Sequence, residues 1–236
     1  MQPDSAVLTE KPSEYRSGFR AGISIAIGYV PIALTFGLLA KSTGLSLVET
    51  VAMSLIVFAG ASQFIALSLI ALGTGAVEII LTTFIINIRQ LLFSASINEK
   101  SRDDSPLVKA LYAFGITDET FTMAVTSRKS VTAPYMLGLE TMAYSSWVVS
   151  SGIGFYAGAA LPEELQQSMG IALYAMFIGL LVPSLKKYRK VLVLAVTAAV
   201  LNTMLSFLMS TGWAIVLATL ISAVAVEFFW KGRETE

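Results

Sequence analysis

Residues 51–72 read VAMSLIVFAGASQFIALSLIAL. The stretch is apolar and long enough to cross a bilayer, whose hydrocarbon core of roughly 30 Å takes about 20 residues of helix. Its middle is unusual for a simple span. Gly60, Ala61 and Ser62 stand in a row, and the amide of Gln63 follows them. An amide at that depth is costly unless hydrogen-bonded. Two readings are open: small residues that let neighbouring helices approach closely, or a broken helix that offers unwound backbone to a solute. The broken helix is the favoured expectation. Irregular backbone survives at membrane depth where protein or a water-filled cavity covers it.

Apolar blocks of similar size recur outward from this stretch, at 21–40, 76–97, 133–160, 165–185, 191–209 and 213–230, with a more polar one at 107–127. Hydrophobic residues make up 55% of the 236 positions and charged ones 14%, and mean hydropathy is +0.73. A soluble domain carries about a quarter charged residues and cannot hide so many long apolar helices in one core of this size. The fold class is therefore an all-α, polytopic transmembrane helix bundle. No loop is long enough for a soluble module, so one membrane domain over 18–231 follows a polar tail, 1–17. That tail lacks the pattern of a cleaved signal peptide, and the first span is expected to stay in the protein.

Lys and Arg favour cytoplasmic loops. The cluster Lys186, Lys187, Arg189 and Lys190 is placed inside on that rule. Span 191–209 then runs out and 213–230 returns, with Lys231 and Arg233 inside. Span 165–185 comes in from an outer loop with Glu163 and Glu164, and 133–160 leaves from an inner loop with Arg128 and Lys129. The tail carries Lys11, Arg16 and Arg20 and also belongs inside. If 51–72 and 76–97 were both complete spans, Lys100 and Arg102 would fall outside, against the bias. The expectation is six full spans plus two discontinuous or re-entrant segments, with eight ordinary spans as the alternative. Both place the N and C termini in the cytoplasm.

Further candidates lie at membrane depth. Gly28-Tyr29-Val30-Pro31 should kink the first span, because proline removes a backbone donor and clashes with the preceding turn. Ionisable side chains inside a membrane are expensive and usually face a bundle interior or cavity. Arg89, two residues after Asn87, either takes a functional or ion-pairing role or snorkels toward an interface. Asp118 and Glu119 adjoin mid-way along 107–127, and their repulsion makes them proton-coupling candidates; the bland reading is a solvated re-entrant tip. Glu140 reads as a residue near the inner boundary, and Glu49, Glu78 and Glu227 as segment-end residues. Gly18/Gly22 and Gly154/Gly158 match a small-xxx-small packing pattern. Trp147, Trp213 and Trp230 suit interfacial belts.

The composition excludes much. There is no Cys and no His, so the usual zinc sites, haem attachment and Cys or Ser–His nucleophiles are out. No P-loop and no GxSxG elbow occurs. Adjacent Asp118 and Glu119 make poor opposed acid and base partners. No enzyme, cofactor or metal is expected. Zero net charge, 16 Lys+Arg against 16 Asp+Glu, gives no reason to expect nucleic acid.

Four features, in order, resemble the AzlC family, the large subunits of bacterial branched-chain amino-acid exporters. They are Gly28-Tyr-Val-Pro31 through Phe36-Gly37; Phe58-Ala-Gly-Ala-Ser-Gln-Phe64; Asn87-Ile-Arg89 running to Leu92-Phe93; and Thr117-Asp-Glu-Thr-Phe121. The likeness spans about residues 15–230. It implies efflux of valine, leucine, isoleucine and perhaps methionine through the bacterial cytoplasmic membrane, with a small AzlD-like membrane subunit as partner. In that family an Asp and a His often occupy the places of Asn87 and Gln90. The residues expected to meet the substrate are Tyr29, Pro31, Gly60, Ala61, Ser62, Gln63, Phe64, Asn87, Arg89, Thr117 and Phe121. Amides near Gly60–Gln63 or Arg89 would take the carboxylate. Asp118, Glu119 or unwound carbonyls would take the ammonium, and Phe64, Tyr29 or Phe121 would meet the side chain. Proton antiport through Asp118 or Glu119 would supply the energy. The rival function is a channel or scaffold subunit whose activity depends on its partner.

Overall fold

The structure is a computed structural model and describes residues 13–101, 104–127, 130–157 and 184–234, with a few single positions between 162 and 182. The polar tail with Lys11, the loop residues Arg102, Arg128, Lys129 and Glu163, Gly158 and most of span 165–185 lie outside the described residues. Complete helices among the described residues are α1 (Glu14–Ser42), α2 (Leu47–Val57), α3 (Gly60–Ala71), α4 (Ala76–Lys100) and α5 (Pro106–Phe114). They continue with α6 (Asp118–Ser127), α7 (Ala133–Ala157), α8 (Arg189–Ser206) and α9 (Thr211–Glu234). Apart from one isolated bridge, no strand occurs among these residues. The fold is an all-α membrane helix bundle.

Four helices, α1, α4, α8 and α9, are long and apolar enough to cross a membrane. The 25 residues of α7 match them in length, but this helix buries polar side chains: Glu140, Ser150 and Ser151. The remaining four are short and come in two pairs. α2 and α3 have 11 and 12 residues, and α5 and α6 have 9 and 10. At about 1.5 Å per residue each covers roughly half a hydrocarbon core. The alternative of eight ordinary spans is thereby corrected, because 51–72 is broken at Phe58–Ala59 and 107–127 at Gly115–Thr117.

The second pair leaves and returns on one side. Val131 N–H donates to Lys100 O at 3.0 Å, and Ser101 bridges Val131, so the end of α4 lies beside the start of α7. The chain between them, α5–α6, is therefore re-entrant. Where α2 begins, Ser46 and Glu49 form a reciprocal capping box: Ser46 N–H donates to Glu49 Oε2 at 2.7 Å, and Glu49 N–H to Ser46 Oγ at 3.3 Å. These bonds, the backbone one foremost, hold the exposed Glu49 carboxyl below its usual range.

The chain forms two compact units. The first comprises residues up to Gly28 and Leu92–Ser146. In it α1 and α7 meet backbone to backbone: a Cβ on Gly18 would strike Tyr135 O, one on Gly22 would reach Leu139 O at 2.7 Å, and one on Gly138 would strike Tyr15 O. Gly18 and Gly22 thus serve internal packing.

The second unit comprises Tyr29–Leu91 and Trp147 onward. Here a Cβ on Gly37 would strike Ser151 O and one on Gly154 would strike Leu34 O. α8 and α9 pack along each other, with Lys190 Nζ and Glu227 Oε2 paired at 2.5 Å. Glu78, expected as a plain boundary residue, caps α9 across space. Its Oε1 accepts from Trp213 N–H at 3.1 Å and from Ser210 Oγ at 2.5 Å. α1 remains helical through Pro31, and Thr35 Oγ1 donates to Pro31 O at 2.9 Å.

Candidate functional site

The break between α2 and α3 lies wholly in the second unit. Phe58 sits at φ 27°, the one positive-φ residue other than glycine among the described residues, a conformation that costs roughly 1–3 kcal/mol unless its surroundings impose it. They do so here. The Phe58 ring is 2% exposed and meets Tyr29 edge-on at 6.3 Å. Ala59 follows at φ −145°, ψ 82°, outside the helical region, and α3 starts at Gly60 with no side-chain cap. The first helical bond of α3 is Gln63 N–H to Ala59 O, 3.0 Å. The N–H groups of Gly60, Ala61 and Ser62 precede it and have no acceptor within the helix. They lie at the positive end of the α3 dipole.

Polar side chains fix this geometry. Trp147 Nε1 donates to Gln63 Oε1 at 3.0 Å, and Gln63 Nε2 donates to Ser54 Oγ at 3.2 Å. Ser54 Oγ donates to Ser151 Oγ at 2.9 Å, and Ser151 Oγ to Trp147 O at 2.8 Å. The ring closes on itself and ties α2, α3 and α7 together. All four residues are buried, where a satisfied polar network specifies one arrangement. On the other side of the break Ser62 Oγ donates to Ala59 O at 2.9 Å and accepts from Asn87 Nδ2 at 3.0 Å.

A cavity of about 400 Å³ adjoins the break. Met53, Val57, Ile79 and Phe84 supply apolar walls, and Ser62, Thr83 and Asn87 supply polar ones. Of the expected substrate contacts, Ser62 and Asn87 line this cavity. Gly60 instead abuts Trp147, whose Cη2 would lie 2.7 Å from an added Cβ. Tyr29 and Phe64 belong to a buried aromatic cluster: Tyr29 stands 5.2 Å from Trp147, and Phe64 5.8 Å from Phe36. They pack the wall behind the break and are absent from the cavity lining. Pro31 is exposed and Arg89 half-buried. Trp147, expected in an interfacial belt, is 2% exposed and belongs to the core.

The break between α5 and α6 lies wholly in the first unit. Thr117 and Thr120 cap each other: Thr117 N–H donates to Thr120 Oγ1 at 2.7 Å, and Thr120 N–H to Thr117 Oγ1 at 3.3 Å. Thr120 Oγ1 also donates to Gly115 O at 3.1 Å. Asp118 and Glu119 occupy the first turn of α6, half-buried, where a helix dipole favours acidic side chains. Phe121 stacks on Phe93 at 4.4 Å. Glu140, expected near a boundary, is 5% exposed and lies against Gly115.

Sequence comparison gives this geometry a lineage. The AzlC protein family matches residues 24–161, a range holding both breaks. The chain belongs to the AzlC family. The inner membrane protein YgaZ of Escherichia coli K12 is 30% identical over 235 residues, 94% of each chain. An uncharacterized membrane protein of Archaeoglobus fulgidus is 34% identical over 178 residues, 75% of this chain and 78% of its own. The branched-chain amino acid transport protein AzlC of Bacillus subtilis is 24% identical over 180 residues, 75% of this chain and 70% of its own. No solved structure gives a significant match. Relatives named as membrane and inner membrane proteins, together with the long apolar helices, make this AzlC-family chain a multi-pass protein of the cytoplasmic membrane.

Sequence reasoning missed Ser54, Ser151 and Trp147 as members of the network, and Met53, Ile79, Thr83 and Phe84 as cavity walls. One signal was present. Gln63 needs partners at its depth, and Ser54 and Ser151 are small hydroxyl residues set in apolar runs of this AzlC-family sequence.

Proposed function

We propose that this AzlC-family chain is the large subunit of a secondary transporter that exports valine, leucine, isoleucine and, as a further substrate, methionine. The name of the Bacillus subtilis relative, a branched-chain amino acid transport protein, supports the substrate class. The observation that carries the reading is the break at Phe58–Ala59. It sets the carbonyl end of α2 beside the amide end of α3, with a largely apolar cavity alongside. A branched-chain amino acid has matching parts. Its carboxylate suits the N–H groups of Gly60, Ala61 and Ser62, as half-helix ends serve anionic groups in other transporters. Its ammonium suits the negative, carbonyl end of the α2 dipole. Its side chain suits the walls of Met53, Val57, Ile79 and Phe84, in a cavity of the size small ligands use, about 300–1,000 Å³.

Export against a gradient takes energy, and inward proton flow in exchange for the amino acid supplies it in this reading. A small AzlD-like membrane subunit completes the transporter. The test is uptake of labelled valine into proteoliposomes holding the chain, alone and with an AzlD-type subunit. Saturable flux that leucine and isoleucine compete for, and lysine and glutamate do not, is the expected result. Flux absent in both preparations, or non-saturable flux of a channel kind, would sink the proposal.

A further inference from the structure

We propose that Glu140, on α7, is the carboxyl that takes up and releases the coupling proton. This rests on the proton-coupled reading above and gives it a residue. Three observations carry it. Glu140 is 5% exposed. Its Oε1 is sealed from solvent and has no hydrogen-bond partner. Its carboxyl fills the space that a side chain on Gly115 would take: an added Cβ would overlap the carboxyl group and stand 2.7 Å from Glu140 Cγ. Gly115 has φ −85°, which any residue adopts, so the glycine answers to the carboxyl rather than to the backbone.

A carboxylate buried without a partner is costly, so the carboxyl in this state holds a proton or a cation. The break favours the proton, because four of its carbonyls already accept hydrogen bonds. Tyr112 O accepts from Gly115 N–H at 3.1 Å, Ala113 O from Ile116 N–H at 3.4 Å and Thr117 O from Phe121 N–H at 2.9 Å, while Gly115 O accepts from Thr120 Oγ1. Metal ions of the calcium and magnesium kind need about six oxygen ligands. Among the described residues no three Asp or Glu converge to supply them. A proton needs one oxygen. The carboxylate takes one proton from water on one side of the membrane to become the neutral acid, and returns it to water on the other; nothing is oxidised or reduced.

The other ionisable groups of this unit have different settings. On α5, Tyr112 is 3% exposed, with a buried hydroxyl that has no partner. On α6, Asp118 and Glu119 are half-buried. α7 itself adds Tyr135, buried, and Tyr144, half-buried. Arg16 and Arg20 of α1, and Glu99 and Lys100 of α4, are exposed. Asp104, before α5, also has a sealed Oδ2 with no partner but is only half-buried; Glu140 is the unpartnered carboxyl of the set that is buried as a whole residue.

The experiment uses the full chain in proteoliposomes, with the AzlD-type subunit where flux requires it, and two readouts: valine flux driven by a pH gradient, and valine–valine exchange without one. Glu140→Gln keeps the shape of the protonated acid. It should lose stimulation by the gradient and retain exchange, whereas Glu99→Gln, at an exposed carboxyl of the same unit, should keep both. Stimulation that persists in Glu140→Gln overturns the proposal, and so does loss of exchange in a folded variant, which marks a structural role. Should the variant fail to fold, an apolar carbodiimide, which labels protonated buried carboxyls, decides on the wild-type chain by peptide mass. Label on Glu140 that falls from acid to alkaline pH supports the proposal; its absence there overturns it. A wild type without valine flux defeats the transport reading alone, since the labelling still reports proton binding.

Discussion

Gln63→Leu tests the ring that holds the first break. Gln63 and Leu are close in size, so the change mainly removes two hydrogen bonds, from Trp147 Nε1 and to Ser54 Oγ. Ser54 keeps its bond to Ser151. Trp147, 2% exposed, loses its indole acceptor and cannot turn to water. An orphaned buried donor costs about 1–3 kcal/mol, while interhelical hydrogen bonds in membranes measure about 0.6 kcal/mol on average and about 1.7 at most. A loss of about 1–2 kcal/mol follows. At roughly 2–4 °C per kcal/mol for a chain of this size, the thermal midpoint in detergent should fall by about 2–8 °C. Trp147→Phe deletes the donor instead and strands Gln63 Oε1. The double variant strands neither, so the two single losses should exceed the combined loss by about 1 kcal/mol. Unfolding by SDS titration of the four proteins measures that coupling. Additivity within about 0.3 kcal/mol would refute the claim that Gln63 and Trp147 hold the break as a pair.

Asn87→Asp turns the donor to Ser62 into an acceptor and puts negative charge on the cavity wall. Repulsion of order 1–2 kcal/mol at an effective dielectric constant of about 20 should raise the KM for valine roughly tenfold, read from flux against concentration. Ile79→Trp fills the cavity that Ile79 lines; leucine flux should fall more than alanine flux, measured by competition in proteoliposomes. Glu78→Ala removes the cap of α9 at about 0.5–2 kcal/mol. The thermal midpoint should drop, and Glu78→Gln, which keeps an acceptor, should restore most of it.

Much of this architecture is legible because lipid imposes strict terms on a chain. Long apolar blocks announce spans, and a charge-bias conflict over Lys100 and Arg102 already pointed to interrupted segments. The break at 57–64 could be read because Gly60-Ala61-Ser62-Gln63 violates the rule that a span is uniformly apolar, and such local violations mark functional sites. What the sequence hides is which face of each helix looks where. Tyr29 and Phe64 stand near the break in sequence, yet their rings turn into an aromatic cluster with Phe36 and Trp147. Trp147 could not be told from an interfacial tryptophan, since its partner Gln63 lies 84 residues away. Glu140 misled for a similar reason. Its distance from the start of its segment suggests a boundary, and only packing against Gly115 reveals burial.

The two breaks share a plan and differ in how they are closed, and the difference bears on function. Each lies between two half-length helices, and each is stapled by hydroxyls that donate to the unwound carbonyls: Ser62 to Ala59 O at the first, Thr120 to Gly115 O at the second. α7 then supplies the lateral support. At the first break it brings Trp147 and Ser151, neutral groups whose hydrogen bonds close a ring. Such a network has one good arrangement and resists change, which suits a site that must hold free amides in register for a solute of fixed shape. At the second break it brings Glu140, whose sealed oxygen has no partner. The stability of that arrangement depends on whether a proton is present, because an ionised carboxyl there must find water or a cation. A neutral, satisfied network preorganises; an unsatisfied carboxyl switches. Among the described residues, the closed ring of neutral groups lies where the solute is proposed to bind and the buried, unpartnered Glu140 at the other break, a division of labour that fits the proposed proton-coupled carrier.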